Sequence, residues 1–281
     1  MHKQTLILIK CKDAVGLVSA ISNTVAKHQL NIITMREYVD EEHGRFFVRV
    51  VCAGEPQNPD DFAADLRERL PSNAEIVINP SRKKKIVVLV TKEHHCLADI
   101  LVRHYFDTLH ADVVSVIGNY DNLSEFVGKF GLPFHLVSHE NKSKADFEKE
   151  LADVVNQYDA DYIVLAKFMR ILSPDFVRQF ENKLINIHHS FLPAFIGANP
   201  YKQAQQRGVK IIGATAHFVT NDLDEGPIIT QDVKKIDHSY DLNRMKTAGK
   251  EIEKAVLSRA IQLLVEDRVM LNGNKTIVYK S

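Results

Sequence analysis

The sequence predicts an α/β chain in which a doubly wound, mostly parallel sheet is preceded by a small α+β unit of βαββαβ order. Three observations carry this. β-branched runs alternate with stretches of helical spacing along most of the 281 residues. The pattern changes at "NPSRKKK", residues 79–85, a proline followed by four consecutive cations. The run beyond it, "KIVVLVTK", is continuously apolar rather than alternating, as in a strand covered on both faces. A 45% hydrophobic fraction over this length is enough for two cores.

The first unit spans residues 1–80. "LILIKCK" reads as a strand, and helical spacing follows through Leu17, Ile21 and Val25, with Gly16 at the turn between them. "ITMREYVD" and "GRFFVRVVC" form a hairpin, "DDFAADLRERL" a second helix and "AEIVIN" a closing strand. This split-βαβ, ferredoxin-like order is a widely used fold and does not by itself name a task. The basic stretch 81–85 is expected to be a solvated linker rather than a nucleic-acid tail.

Residues 86–281 form the second unit. A helix is expected at "CLADILVRHYFDTLH", a strand at "ADVVSVIGNY", a helix at "KSKADFEKELADVVNQY", a strand at "ADYIVLAKF", a helix near "SPDFVRQF" and a strand at "KLINIHH". A long amphipathic helix, with Ile252, Val256, Ile261 and Leu264 near one face, closes the unit. Such sheets bind ligands outside the carboxyl ends of their strands. Two of those ends carry polar residues, Asn119 at one and Asn186 with His188 at the other.

Thirty-six basic residues balance thirty-six acidic ones, so no net field draws in nucleic acid or an anionic membrane. No run is long and apolar enough to span a bilayer, and a cytoplasmic protein is expected. Cys11, Cys52 and Cys96 are odd in number and far apart, which predicts reduced, buried thiols.

Strand alternation sends Asn186 and His188 to one face and Ile187 and His189 to the other. Adjacent strand residues do not converge on one ion, so no metal is expected at His188 and His189. Asp224, in the loop "TNDLDEG", is the natural third member. A carboxylate orients an imidazole, and an amide NH₂ donates to a developing oxyanion, so this set suits acyl transfer without a covalent nucleophile. Ser173 and Ser190 read as cap and turn residues, not nucleophiles. His217, in the middle of a later strand, is either a site residue or a core histidine.

"INIHHSFLP", with Asn186 standing 38 positions before Asp224 in "HFVTNDLDEGPI", resembles the active-site signature of the folate-dependent formyltransferase family. The likeness runs from about Lys85 to Leu264 and implies a formyltransferase-like, Rossmann-like domain. "LAKFMRILSP" resembles that family's folate-binding segment, which implies that Met169, Arg170 and Leu172 line the pterin pocket with Val219 and Thr220 of the 219–224 loop. Asn186, His188 and Asp224 would be catalytic, and His217 and His189 would stand in or behind the site. No cofactor is implied, because 10-formyltetrahydrofolate is the substrate. The string "DAVGLVSAISNTVAKHQLNI" resembles an ACT domain, implying an amino-acid effector near Asp13, Gly16, Leu17 and Asn31, or pairing with a second copy into a homo-oligomer, or both.

Departures from the family narrow the acceptor. Members that formylate a phosphorylated amine carry a small Gly-Ser-Asn-Leu loop after the first strand, where this chain has His94-His95-Cys96-Leu97. Members acting on tRNA carry a further carboxyl-terminal domain, whereas this chain ends soon after its last long helix and has no net positive charge. An ACT-like unit joined to a formyltransferase-like domain, together with "HHSFLPAFIGANPYKQA" and "GATAHFVTNDLDEGPIITQDV", resembles the members of the family that use water as acceptor, which implies hydrolysis of 10-formyltetrahydrofolate to tetrahydrofolate and formate, in one-carbon and purine metabolism. The competing readings are transfer to an unphosphorylated amine and a catalytically silent folate or amino-acid sensor. One further departure is Asn199 in "GANPY", where lysine is expected and where a changed folate affinity would follow.

Overall fold

The computed structural model describes residues 4–79, 83–194 and 200–280. Asn199 therefore lies outside the described residues, as do 80–82 of the basic stretch. The chain divides into two compact units, one of Met1–Arg82 with Asp267–Met270 and Ile277–Ser281, the other of Lys83–Glu266 with Leu271–Thr276.

In the first unit β1 (Gln4–Lys12), α1 (Leu17–Lys27), β2 (Asn31–Asp40), β3 (Arg45–Ala53), α2 (Pro59–Arg69) and β4 (Glu75–Ile78) follow in the predicted order. The sheet is antiparallel, in the order β2-β3-β1-β4. Alternation delivers Ile7, Ile9 and Cys11 of β1, with Phe46, Val48, Val50 and Cys52 of β3, to one face. Leu17, Ile21 and Val25 of α1 and Phe62 and Leu66 of α2 pack there. The start of α2 is set locally: the Asn58 side chain accepts from the N–H groups of Asp60 and Asp61, and Pro59 fits the first helical position. α1 has no such cap. Gly16 precedes it at φ 91°, a conformation that strains residues with a Cβ.

The second unit contains β5 (Lys84–Val90), α3 (His95–Tyr105), β6 (Ala111–Gly118), α4 (Ser124–Gly128), β7 (Phe134–Leu136), α5 (Lys144–Asn156) and β8 (Tyr162–Leu165). It continues with α6 (Pro174–Gln179), β9 (Leu184–His188), α7 (Pro200–Arg207), β10 (Ile211–Phe218), β11 (Ile228–Lys235) and α8 (Leu242–Val265). A hairpin, β12 (Val269–Asn272) and β13 (Lys275–Val278), ends the chain's regular structure. The seven-stranded sheet has the order β11-β10-β9-β8-β5-β6-β7. Ile86 to Val90 are all fully buried, as the continuous apolar run requires of a central strand. The chain leaves β5 through β6 and β7 on one side and returns to β8 on the other, which makes the carboxyl ends of β5 and β8 the switch point of the sheet.

Two expected boundaries change, and the mostly parallel sheet gains two antiparallel strands. The strand begins at Lys84, inside the stretch 81–85 read as linker, because Lys84 and Lys85 pair with Ala111 and Asp112 of β6. The helix predicted through His110 ends at Tyr105, and Asp107 and His110 adopt positive φ beyond it. The parallel order also stops at β9: β10 and β11 run antiparallel to their neighbours. The three cysteines are free and buried as predicted.

Candidate active site

β9 carries Asn186 and His188 on one face, and its antiparallel partner decides what meets them. Register places His217 opposite Asn186 and Thr215 opposite His188, and residues directly opposite share a face. The Nδ2 of Asn186 lies 3.3 Å from Nε2 of His217. Nδ1 of His217 lies 2.8 Å from the Phe218 carbonyl, which only accepts, so that nitrogen carries the proton. His217, left open between site and core by the sequence, is 2% exposed and belongs to the cluster.

Asp224 enters from the loop between β10 and β11. Its Oδ1 lies 3.2 Å from Nδ1 of His188 and 3.7 Å from Nε2 of His217. Burial opposes its ionisation, but the contact with His188 outweighs that and holds the carboxyl well below the usual carboxylate range. The loop reaches this position for local reasons. Asp224 itself has φ 59°, a left-handed conformation that Asp tolerates. Two residues on, a Cβ at Gly226 would stand 1.8 Å from the Phe218 carbonyl oxygen, so only glycine lets the loop close against the end of β10. Pro227 accepts from the Phe218 N–H at 2.9 Å, completing the closure.

With Nδ1 of His188 on the carboxylate, its Nε2 is buried and has no protein hydrogen-bond partner. His189 begins the turn after the strand. Its ring centroid lies 5.1 Å from that of His188 and 6.0 Å from that of Tyr201, so the strict alternation ends at His188. Burial, then the charge of Lys167, pushes the His189 imidazole down to about 4. A cavity of about 110 Å³ is lined by His189, Ser190, Tyr201, Ala204 and Gly213, among others. Ser173 is the N-cap of α6, as expected of a cap residue. Its N–H also donates to Glu148 at 2.8 Å, tying the preceding segment to α5.

The residues expected to bind folate divide into two groups. Met169 and Arg170 line an open cleft of about 260 Å³ with Lys144, Phe147, Glu148 and Ile171. Leu172 and Val219 are half-buried against the core cluster under β5 and β8. Thr220 is half-buried in the 219–224 loop and donates its hydroxyl to the Asp222 carbonyl at 3.2 Å. In the first unit, Asp13, Gly16 and Asn31 are exposed, whereas the side chain of Leu17 is 5% exposed and committed to the core.

Sequence reading missed one buried group. Glu253 of α8 accepts from His95 Nε2 at 2.8 Å and Tyr201 Oη at 2.6 Å, with Lys167 Nζ at 3.3 Å. The signal was a carboxylate in the stripe Gly249, Glu253, Val256, Ala260, all buried on one face of an amphipathic helix. His95, Cys96 and Glu253 bring donor atoms within 4.8 Å of one another. The Lys167 ammonium already stands on that carboxylate, and burial pushes the Cys96 thiol far up, so the donor set does not suit a cation.

This fold and site define a formyl transferase-type α/β enzyme preceded by an ACT domain. The chain matches the family Formyl transferase over residues 84–261 and the family ACT domain over residues 5–68. It is 50% identical over 278 residues to the formyltetrahydrofolate deformylase of Haemophilus influenzae, covering 99% of this chain and 100% of that one. The crystal structure of a formyltetrahydrofolate deformylase from Pseudomonas syringae superposes with a TM-score of 0.92 at 38% identity, over 99% of this chain and 94% of that one. The glycinamide ribonucleotide transformylase 1 of Symbiobacterium toebii gives 0.67 at 28% identity and covers 70% of this chain and 95% of its own. The chain belongs to the formyltetrahydrofolate deformylase family.

Proposed function

We propose that the protein hydrolyses 10-formyltetrahydrofolate to tetrahydrofolate and formate, with Asn186, His188 and Asp224 as its catalytic residues. The observation that carries the assignment of roles is the unpaired, buried Nε2 of His188, whose other nitrogen is held by Asp224. Water attacks the formyl carbon while Nε2 takes its proton. Asn186 donates from its amide to the oxyanion, and the imidazolium, stabilised by Asp224, returns the proton to N10 as the C–N bond breaks. No step calls for a cofactor or a metal. Met169, Arg170, Leu172, Val219 and Thr220 hold the folate.

Transfer to an amine and a silent sensor are disfavoured, since the full-length relatives are deformylases and the three polar groups converge. Among the described residues no helix is long and apolar enough to cross a membrane, which is consistent with action in the cytoplasm. Pairing of two copies through the first unit is supported by its edge strand β2, which exposes Ile33, Tyr38 and Val39.

Purified protein incubated with 10-formyltetrahydrofolate alone should release formate stoichiometrically with tetrahydrofolate. Asp224→Asn and Asn186→Ala should each lower kcat by roughly 10²–10³-fold, about 3 kcal/mol of transition-state stabilisation. Formate release that needs an added amine, or Asp224→Asn at wild-type rate, would refute the assignment.

A further inference from the structure

Outside the Asn186–His188–Asp224 cluster, the crevice at the switch point holds a second set of buried polar groups. β5 leads to His95 at the start of α3, and β8 leads to Lys167. Both side chains end on Glu253, which is 1% exposed. Tyr201 reaches the same carboxylate from α7. A carboxylate so far from water is stable only because three donors compensate it. Burial opposes its charge, but the His95 hydrogen bond, the Lys167 charge and the Tyr201 hydroxyl prevail and carry Glu253 down to about 2.

Two features of the chain are unfavourable locally and make sense only through this cluster. Lys167 has φ 61°, a conformation that favours glycine, yet it carries a long side chain that turns into the crevice and is only 10% exposed. Gly249 lies inside the long helix α8, where glycine costs about 0.5–1 kcal/mol relative to alanine. A Cβ there would stand 2.0 Å from the Tyr201 hydroxyl oxygen. Gly249 precedes Glu253 by one turn on the same face, so the missing side chain is the notch that lets the Tyr201 ring lie on α8 and reach the carboxylate.

Each donor carries a segment that borders the substrate site. Lys167 stands two residues before Met169, whose N–H is held by Thr91 Oγ1 at 2.8 Å, and so leads into the segment with Arg170 and Leu172. Tyr201 opens α7 and lines the cavity beside His189.

We propose that Glu253 is a positioning residue for the folate substrate, fixing the Met169–Leu172 segment through Lys167 and α7 through Tyr201. It touches no reacting atom. The proposal rests on the deformylase reading. Its loss therefore weakens binding and leaves the chemical step in place, unlike a change at Asp224.

The test uses the full chain and two readouts, steady-state formate release and the affinity for tetrahydrofolate measured by fluorescence titration. Lys167→Gly removes the tie and relaxes the backbone, and it leaves Glu253 two of its three donors, His95 and Tyr201, so a lowered melting temperature is expected and circular dichroism checks that the variant folds. Its KM and its dissociation constant for tetrahydrofolate should rise by roughly tenfold or more, with kcat within about threefold of wild type. Glu253→Gln should show the same split with a lower melting temperature, because it leaves the Lys167 charge buried without a partner. Should Lys167→Gly not fold, Tyr201→Phe, which keeps the ion pair, carries the test with a rise of about threefold. A folded Lys167→Gly with wild-type KM and tetrahydrofolate affinity, or one that loses kcat with KM unchanged, overturns the proposal. A wild-type protein that releases no formate without an amine overturns the deformylase reading instead.

Discussion

His188 and His189 are adjacent and chemically identical, and the structure separates their roles by environment. His188 gives Nδ1 to Asp224, and its Nε2 is buried without a protein hydrogen-bond partner. His189, the next residue, has no carboxylate within bonding distance among the described residues, and burial followed by the Lys167 charge lowers it to about 4. The sign of the consequence is fixed by linkage. An imidazole lowered on folding binds its proton more readily in the unfolded chain, so stability falls as pH drops from the unfolded value of about 6.5 toward 4. The slope contributed by one such group approaches about 1.4 kcal/mol per pH unit inside that window. Urea unfolding between pH 7 and 4.5 should show it, and His189→Asn should flatten it; an unchanged slope would mean that His189 is not buried as described. Strand alternation made Asn186 and His188 legible as partners, and the loop chemistry of "TNDLDEG" made Asp224 legible. His217 was legible only as one of two alternatives, site or core, because its place follows from the antiparallel register with β9, a non-local fact. Glu253 was hidden for the same reason: its partners His95 and Tyr201 stand 158 and 52 positions away.

Elements with strong periodicity were legible, α5 and α8 among them, as was the hairpin of β2 and β3. Short pieces such as α4, β7 and α7 were not, since a few residues carry too little periodicity to declare themselves. The strand and helix pattern predicted a mostly parallel sheet and left the direction of β10 open; β10 runs antiparallel to β9. That reversal turns the carboxyl end of β10 toward Leu184 at the start of β9, and the loop that follows folds back to carry Asp224 to His188. The loop depends on one close approach. Gly226→Ala places a Cβ 1.8 Å from the Phe218 carbonyl oxygen, which only a backbone shift can relieve. Overpacking of this severity should cost about 3 kcal/mol in a denaturant melt. A displacement of about 1 Å at Asp224 should lower kcat by roughly 100-fold. Wild-type stability with full activity would show that the loop is not closed by this contact.

At the scale of the whole chain, the composition and the change of pattern near residue 80 predicted two units, and the structure adds that Asp267–Met270 and Ile277–Ser281 belong with the first. No periodicity announces this. One contact within that unit, the Arg49 side chain donating from Nε to the Asp267 carbonyl at 3.1 Å, spans 218 positions. It also decides how regulation should be tested. A chain cut near residue 83 would strip those terminal segments of their own unit, so a changed response would be ambiguous. Point variants in the intact protein avoid this. Asp13 and Asn31 are exposed in the first unit, while Leu17 is spent on its core, so the two polar residues are the ones to vary. An amino-acid effector should change the rate of formate release by about 5- to 150-fold, the range of ordinary coupling energies. Asp13→Ala and Asn31→Ala should each raise the effector concentration needed by roughly tenfold, equivalent to about 1.4 kcal/mol. By reciprocity, whatever factor the effector applies to the binding of 10-formyltetrahydrofolate, the folate applies to the binding of the effector, which calorimetry reads directly. If none of the twenty amino acids binds or changes the rate, or if both variants respond as the wild type does, the first unit serves pairing alone.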